Sequence, residues 1–208
     1  GPGLVALHER LSSETIYLRF FSPHPRLTPA EVRRFTHLDY EDRMAFVATL
    51  GGQIVAVARY DRCPGTDEAE VAFVVEDAHQ GRGIGTLLLE RLAAYARTKG
   101  IRRFVADTLA RNRRMLNVFR EAGYDEQMTL DGELVRVTLS IEPTEAFEAA
   151  SAERERQAAI RSIERLLCPR SIAVIGATRE RGRIGHEIFR NLLAGGFTGP
   201  VYPVHPTA

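Results

Sequence analysis

The chain has 208 residues, of which 44% are hydrophobic, and a formal net charge of +1. This length accommodates one full domain and part of another, and the apolar content is enough for a sizeable core. The near-neutral charge argues against a nucleic-acid binder or a protein held to an acidic membrane surface, and no apolar run is long enough to span a membrane.

Cysteine and histidine usage points to a cytoplasmic protein without a metal. Cys63 and Cys168 lie far apart and have no paired spacing, which is typical of a reducing compartment. The six histidines form no ligand pattern with cysteines or carboxylates. No signal peptide is recognised, and residues 1–3 are interpreted as the remnant of a cleaved tag and left out of the fold prediction.

Residues 4–143 carry mixed strand and helix signals, which predict one α/β domain. The alternation at 15–21 predicts a strand, and Thr28 followed by Pro29 predicts a helix start. Gly51 and Gly52 lie between two β-rich runs and predict a hairpin. Further strands are predicted at 69–75 and 102–109, with a second hairpin over 128–140.

The rest of the chain predicts a linker and a second, incomplete unit. Residues 144–167 are rich in Ala, Glu and Arg and lack Gly and Pro, so we expect a helical linker. Residues 168–208 begin with a buried strand, a Gly-rich turn and a helix. They contain a single Rossmann-like βαβ unit, which is too little for a working nucleotide-binding fold.

A glycine-rich stretch, QGRGIG, lies where the predicted strand 69–75 enters an amphipathic helix. Gly81, Gly83 and Gly85 allow the backbone to approach a ligand closely, and the first amides of the helix have no internal partners. The helix dipole and Arg82 favour an anion. The spacing differs from dinucleotide and P-loop motifs. A tight turn with glycines kept for packing is the alternative, and we favour a phosphate or pyrophosphate site.

This stretch resembles the acetyl-CoA signature of the GCN5-related N-acetyltransferases, the GNAT family. A second stretch, ARNRRMLNVFREAGY at 110–124, resembles the family's later segment, in which an Asn precedes a helix that ends in Gly-aromatic. The resemblance covers roughly Glu14 to Ser140. It implies a mixed central sheet flanked by helices, in which the fourth and fifth strands splay apart.

The resemblance also implies acetyl-CoA as co-substrate, with the pantetheine arm along the strand and the pyrophosphate on the glycine loop. Many relatives have a Tyr that protonates the leaving thiolate where this chain has Phe119. Water or the departing proton must then protonate the thiolate, unless it leaves unprotonated. The implied cofactor-binding residues are Phe73, Val74, Val75, Gln80, Gly81, Arg82, Gly83, Ile84, Gly85, Thr86, Asn112 and Phe119.

Glu70 is the candidate general base. A lysine amine has a reference pKa near 10.4, so a carboxylate that accepts its proton helps it to attack a thioester at neutral pH. Glu70 alternates with Ala72 and Val74, and we expect it to be buried on an apolar sheet face. In the lysine-acetylating branch of the family, the base is a Glu on this strand at nearly this offset. A surface carboxylate, our interpretation of Asp67 and Glu68, is the alternative.

The last segment resembles the start of the CoA-binding domain of NDP-forming acyl-CoA synthetases, with His205 in place of the usual Asn. An acetyltransferase joined to such a domain resembles the bacterial Pat-type protein lysine acetyltransferases. These modify AMP-forming acyl-CoA synthetases, notably acetyl-CoA synthetase, and lower their activity. The resemblance implies such a synthetase as partner, and the chain is expected to be a shortened form of a longer protein.

Two other functions stay open at this point. A small-amine acetyltransferase would need an acidic, enclosed acceptor pocket, which Asp39, Glu41 and Asp42 could supply. A non-catalytic acyl-CoA sensor would not need Glu70. The sequence leaves open the true acceptor, the preference for acetyl over propionyl groups and the oligomeric state.

Overall fold

The computed structural model describes residues 1–205, apart from the side chains of Arg161, Arg165 and Leu166. The chain forms two compact units, Gly1–Ala152 and Glu153–Ala208. The elements in chain order are α1 (Pro2–Arg10), α2 (Ser13–Phe20), α3 (Pro29–Thr36), β1 (Arg43–Leu50), β2 (Gln53–Arg62), β3 (Glu68–Val75), α4 (Ile84–Thr98), β4 (Arg103–Leu109), α5 (Arg113–Glu121), β5 (Glu126–Asp131), β6 (Leu134–Ser140), α6 (Glu145–Leu167), β7 (Ile172–Ile175), α7 (Ile184–Ala194) and β8 (Val201–Val204).

The first unit is built on a six-stranded mixed sheet in the order β1-β2-β3-β4-β6-β5. The β3–β4 pair is parallel and the other pairs are antiparallel. The β3–β4 ladder covers only Glu68–Glu70 opposite Arg103–Val105, although β3 continues to Val75. The predicted splay therefore lies between the third and fourth strands, and the mixed sheet confirms the predicted fold class.

The two faces of the sheet are covered by different helices. On one face, α4 and α5 pack on alternate residues of β2 and β3 and form the main core, which includes Tyr60, Leu89, Leu92 and Phe119. The other face carries α1, α2 and α3, which pack over residues of the opposite parity such as Val57 and Ala72. Parity along a strand thus decides which layer a side chain enters.

The predicted strand at 15–21 is wrong, because this segment is helix α2. Ser12 is the N-cap, and its side-chain oxygen accepts a hydrogen bond from the backbone N–H of Thr15 at 3.1 Å. A Ser cap followed by Glu14 in the first turn is a helix-start signal that outweighs a short apolar alternation. The chain accordingly has one strand fewer before Gly51 than the sequence predicts.

The opening residues are also part of the fold. Pro2 is the first residue of α1, and a Cβ on Gly3 would lie 3.0 Å from Ile54 of β2. Leu7 on the same helix is almost fully buried. Whatever the origin of residues 1–3, excluding them from the fold prediction was wrong.

The second unit has the predicted strand–turn–helix–strand order, with β7 parallel to β8. The turn after β7 depends on glycine, since a Cβ on Gly185 would lie 2.1 Å from the carbonyl oxygen of Gly176. The strand predicted to be buried is largely exposed, with Ile175 at 84%. A two-stranded sheet with one helix covers too little surface to bury it.

Candidate active site

A cleft of about 820 Å³ opens where β3 and β4 diverge. Helix α2, the first turn of α4 and most of α5 complete its walls. All but one of the residues predicted from the sequence line this cleft, namely Glu70, Phe73, Val74, Val75, Gln80, Gly81, Gly83, Ile84, Gly85, Thr86, Asn112 and Phe119. The exception is Arg82, which is exposed and whose guanidinium lies 3.3 Å from Nδ1 of His79.

The three alternating glycines have two different roles. Gly81 and Gly83 have φ of 72° and 77°, and a Cβ on either would meet no atom within 4 Å. They give the loop its left-handed turns and leave its surface open to a ligand. Gly85 instead lies against α5, where a Cβ would come within 3.2 Å of Val118. Packing, the alternative weighed for the whole loop, therefore accounts for Gly85.

The start of α4 is suited to an anion. Its N-cap, Gly83, supplies no side-chain cap, and its first turn contains no acidic residue. The first amide groups of a helix have no partner within the helix and lie at the positive end of its dipole. These amides adjoin the open surface of Gly81 and Gly83, so the geometry fits a phosphate group.

Gln80 acts as a bridge between elements. Its side-chain nitrogen donates to the carbonyl of Val75 at 3.0 Å and to the hydroxyl of Thr15 at 3.2 Å. Its side-chain oxygen accepts a hydrogen bond from Arg114 on α5. The hydroxyl of Thr15 in turn donates to Asp77 at 2.8 Å. This network joins α2, β3 and α5 around the glycine loop.

The cleft is also lined by four arginines that the sequence did not single out as ligands: Arg19, Arg111, Arg113 and Arg114. The last three come from the RNRR run at the start of α5, and Arg111 lies over the ring of Tyr17, 5.1 Å from its centroid. A run of basic residues in a motif that follows a glycine loop is a signal from which these three arginines could have been predicted as ligands. Arg19 carried no such signal, because its segment was predicted as a strand.

Glu70 lies at the closed end of the cleft. It is the last residue of β3 in the ladder to β4, where it is paired with Val105. In the ladder to β2 it is paired with Asp61. Its side chain is exposed, so the expectation of a buried carboxyl group is wrong. The strands separate directly after it, and the side chain consequently borders an open space rather than a packed layer.

The later motif forms the opposite wall. Asn112 caps α5, since its Oδ1 accepts a hydrogen bond from the backbone N–H of Met115 at 3.2 Å. Phe119 is buried and meets the ring of Phe73 edge-on, with 6.1 Å between centroids. Within residues 1–205 no tyrosine lines this cleft, and Tyr60 donates its hydroxyl to the carbonyl of Glu41 instead.

The acidic residues at 39–42 lie outside the cleft walls. Asp39 accepts hydrogen bonds from the backbone N–H groups of Glu41 and Arg43, which lower its pKa. Glu41 pairs with Lys99 and Asp42 with Arg62. Glu41 and Asp42 are largely exposed, and none of these carboxylates gives this cleft the acidic acceptor pocket that a small amine would need.

Neither cysteine lines the cleft, and both thiols are free. Among residues 1–205, no group of three or more histidine, cysteine or acidic side chains could hold a metal ion. The helices in this part of the chain are also too short or too polar to cross a membrane.

The chain is similar to known acetyltransferases. The sequence profile of the acetyltransferase (GNAT) family matches residues 8–124, more than half of the chain, and the chain therefore belongs to that family. Enzymes of this family use acetyl-CoA, so this region is an acetyl-CoA-dependent N-acetyltransferase domain. A profile of a CoA binding domain matches residues 170–208.

The chain is similar to the acetyltransferase Pat of Mycolicibacterium smegmatis, with 39% identity over 115 residues. The match covers 54% of this chain and 34% of that protein, so the chain spans about a third of the length of that relative. The solved GNAT domain of S. lividans PAT superimposes with a TM-score of 0.63 at 46% identity, covering 67% of this chain and 84% of that domain.

The second unit has different relatives. A stretch of 44 residues is 48% identical to the alpha subunit of an ADP-forming acetate–CoA ligase of Pyrococcus furiosus, covering 21% of this chain and 10% of that subunit. The order of an acetyltransferase domain followed by the start of such a CoA-binding domain agrees with the resemblance drawn from the sequence.

Proposed function

We propose that this protein is a cytoplasmic protein lysine N-acetyltransferase that transfers the acetyl group of acetyl-CoA directly to its acceptor, with Glu70 as general base. The acceptor we propose is the active-site lysine of an AMP-forming acyl-CoA synthetase, such as acetyl-CoA synthetase. One observation carries the proposal: a single cleft is lined both by the open glycine loop at the start of α4 and by the carboxylate of Glu70.

The donor fits this cleft along its length. The pyrophosphate would lie on the loop at Gly81–Thr86, with the arginines at the start of α5 near its negative charge. From Val75 back to Glu70, five strand positions span about 17 Å, comparable with an extended pantetheine arm. The edge of β3 makes no ladder with β4 beyond Glu70, so apart from the Val75 carbonyl, which accepts from Gln80, its backbone can bind the amide groups of that arm.

The proposed reaction is a direct acyl transfer. The acceptor nitrogen bonds to the thioester carbonyl carbon, Glu70 takes a proton from the amine directly or through one water, and the carbon–sulfur bond breaks to release CoA thiolate. Phe119 has no hydroxyl, so the thiolate leaves unprotonated or is protonated by water or the departing proton. Neither thiol of the enzyme is needed, because no acyl-enzyme forms.

Three observations favour a protein acceptor over the alternatives. The solved domain with 46% identity belongs to a PAT protein. The carboxylates at 39–42, which a small-amine enzyme could use, are paired elsewhere. Glu70 lies at the end of the cleft where the donor's acetyl group is expected, a placement that a non-catalytic acyl-CoA sensor would not need.

Acceptor identity is tested with radiolabelled acetyl-CoA and a panel of purified AMP-forming acyl-CoA synthetases. We expect label on acetyl-CoA synthetase, a loss of its activity, and no label when its active-site lysine is replaced by alanine. Polyamines and aminoglycosides in the same assay represent the small-amine alternative. Efficient acetylation of those amines with unmodified synthetases would contradict the proposal, and binding of acetyl-CoA without transfer would indicate a sensor.

A further inference from the structure

Arg19 lies in the wall between the cleft and a second cavity. That cavity has a volume of about 150 Å³, and apolar side chains of α1, α2, α3 and the sheet form most of its lining. Arg19 lines both spaces, as do Ala72 and Val74 of β3. Glu70 has the same parity on β3 as these two residues. Arg19 is therefore on the sheet face of the proposed base, and it lines the same cleft as Glu70.

In the part of the chain that the structure describes, the Arg19 guanidinium contacts an aromatic ring but has no polar partner. Within the described residues it forms no ion pair and donates no hydrogen bond, and it lies 5.1 Å from the centroid of the Phe20 ring. Arg59, its neighbour on β2, is different: it pairs with Asp61 at 2.9 Å and lies over the ring of Phe35. An unpaired cation in a largely enclosed site costs stability, so folding does not account for Arg19.

Burial, together with a smaller effect of the Arg59 charge, lowers the pKa of Arg19 to about 10, although the charges of Glu70 and Asp61 partly offset this lowering. Arg19 is therefore still a cation at neutral pH and close enough to Glu70 for their charges to interact. Other titratable or charged groups on the surrounding elements are His8 of α1, Glu14 of α2, Arg34 of α3, Asp107 of β4 and Arg111 in the loop after it.

Two of these carboxylates are already paired with arginines. Asp61 has Arg43 and Arg59 as partners, and Asp107 forms two hydrogen bonds with Arg136. Glu70, like Arg19, has no hydrogen-bond or ion-pair partner within residues 1–205. Glu70 and Arg19 thus line the same cleft, and neither is neutralised by a neighbouring side chain within the described residues.

A carboxylate base has an inherent conflict with a lysine acceptor. Its negative charge attracts the ammonium form and so opposes the deprotonation that the reaction needs. A fixed positive charge nearby offsets this attraction and favours the neutral amine, as a neighbouring cation does for nucleophilic lysines in other enzymes. We propose that Arg19 is a positioning residue that acts through Glu70 in this way, a role that rests on the proposed function of Glu70 as base.

The pH profile of kcat/KM tests this role. With acetyl-CoA synthetase as acceptor, and poly-L-lysine as an acceptor that does not depend on the natural partner, turnover is measured from pH 6 to 10. In Arg19→Gln we expect the rising limb to move to higher pH by on the order of one unit, because the amine and the carboxylate both keep their protons longer. Arg19→Lys keeps the positive charge and should leave the rising limb at the same pH as in the wild type.

The matched control is the loss of an arginine charge outside the cleft. Arg26→Gln removes the same charge from an exposed loop position and should leave the profile unchanged. An unmoved limb in Arg19→Gln, or an equal shift in Arg19→Lys, would overturn the role of the Arg19 charge. Normal turnover in Glu70→Gln would instead overturn the base assignment, and a wild type that modifies neither acceptor would overturn both.

Discussion

The ring of Phe147 stacks on the ring of Tyr124, with centroids 4.4 Å apart and planes inclined by 21°. Phe147 lies in the first turns of α6, and Tyr124 is a buried residue that follows α5. Thr144 adds a hydrogen bond from its hydroxyl to the carbonyl of Gly123. The beginning of the segment predicted as a linker is therefore packed on the acetyltransferase domain.

This contact predicts where the chain can be shortened. A protein ending at Ala152 keeps the Phe147 ring and should retain acetyl-CoA binding and turnover. Ending the chain at Glu142 removes the ring and should lower the free energy of unfolding by about 1–3 kcal/mol. Urea unfolding measures the difference, and Phe147→Ala in the full chain should reproduce it. Equal stability of the two shortened proteins would contradict this.

Gly83→Asp should abolish acetyl-CoA binding, as measured by calorimetry. The substitution places a side chain and a negative charge on the open surface where we expect the pyrophosphate. It also strains a residue whose φ is 77°. Gly100→Asp is the matched control, because Gly100 has φ of 74° in the turn after α4 and does not line the cleft. Unchanged affinity in Gly83→Asp would make the loop structural.

Replacing both Cys63 and Cys168 with Ser, with a chelator present, should leave turnover within about twofold of the wild type. Direct transfer needs no thiol nucleophile, whereas a ping-pong reaction would need one. Steady-state rates at varied concentrations of both substrates provide an independent check. Parallel double-reciprocal lines, together with loss of activity in the double variant, would indicate an acyl-enzyme.

Arg19→Met should raise the melting temperature at pH 7. Burial disfavours the charged guanidinium, so its cost to folding is present below the folded-state pKa of about 10 and fades as pH rises through that value. Removing a cost near 1 kcal/mol would raise the melting temperature by about 2–4 °C. Scanning calorimetry at pH 7 measures it, with Arg26→Met as control. A lower melting temperature would show that Arg19 stabilises the fold.

Local signals predicted much of the fold. Gly51 and Gly52, the Thr28 cap and the glycine loop each determine their structure through a few neighbouring residues, and the structure agrees with them. The segment at 15–21 failed because its short alternation suits either a strand or one side of a helix. The Ser12 cap, bonded to Thr15, and Glu14 in the first turn distinguish the two.

The sequence predicted those residues of the site that belong to contiguous motifs. Residues 70–86 lie along one strand and one turn, so their order in the chain reproduces their order in the cleft. Arg19 reaches the same space from a helix more than fifty positions away, and no local pattern reveals that contact. The exposure of Glu70 likewise depends on where the β3–β4 ladder ends, which is decided by tertiary packing.

The central claim is that Glu70 removes the proton from the acceptor amine, and kcat of Glu70→Gln on acetyl-CoA synthetase tests it most directly. Glu68→Gln on the same strand, where Glu68 pairs with Arg103 outside the cleft, is the matched control. We predict a loss of about a hundred- to ten-thousand-fold in kcat for Glu70→Gln, with unchanged acetyl-CoA affinity and melting temperature. A kcat near that of the wild type would contradict the account.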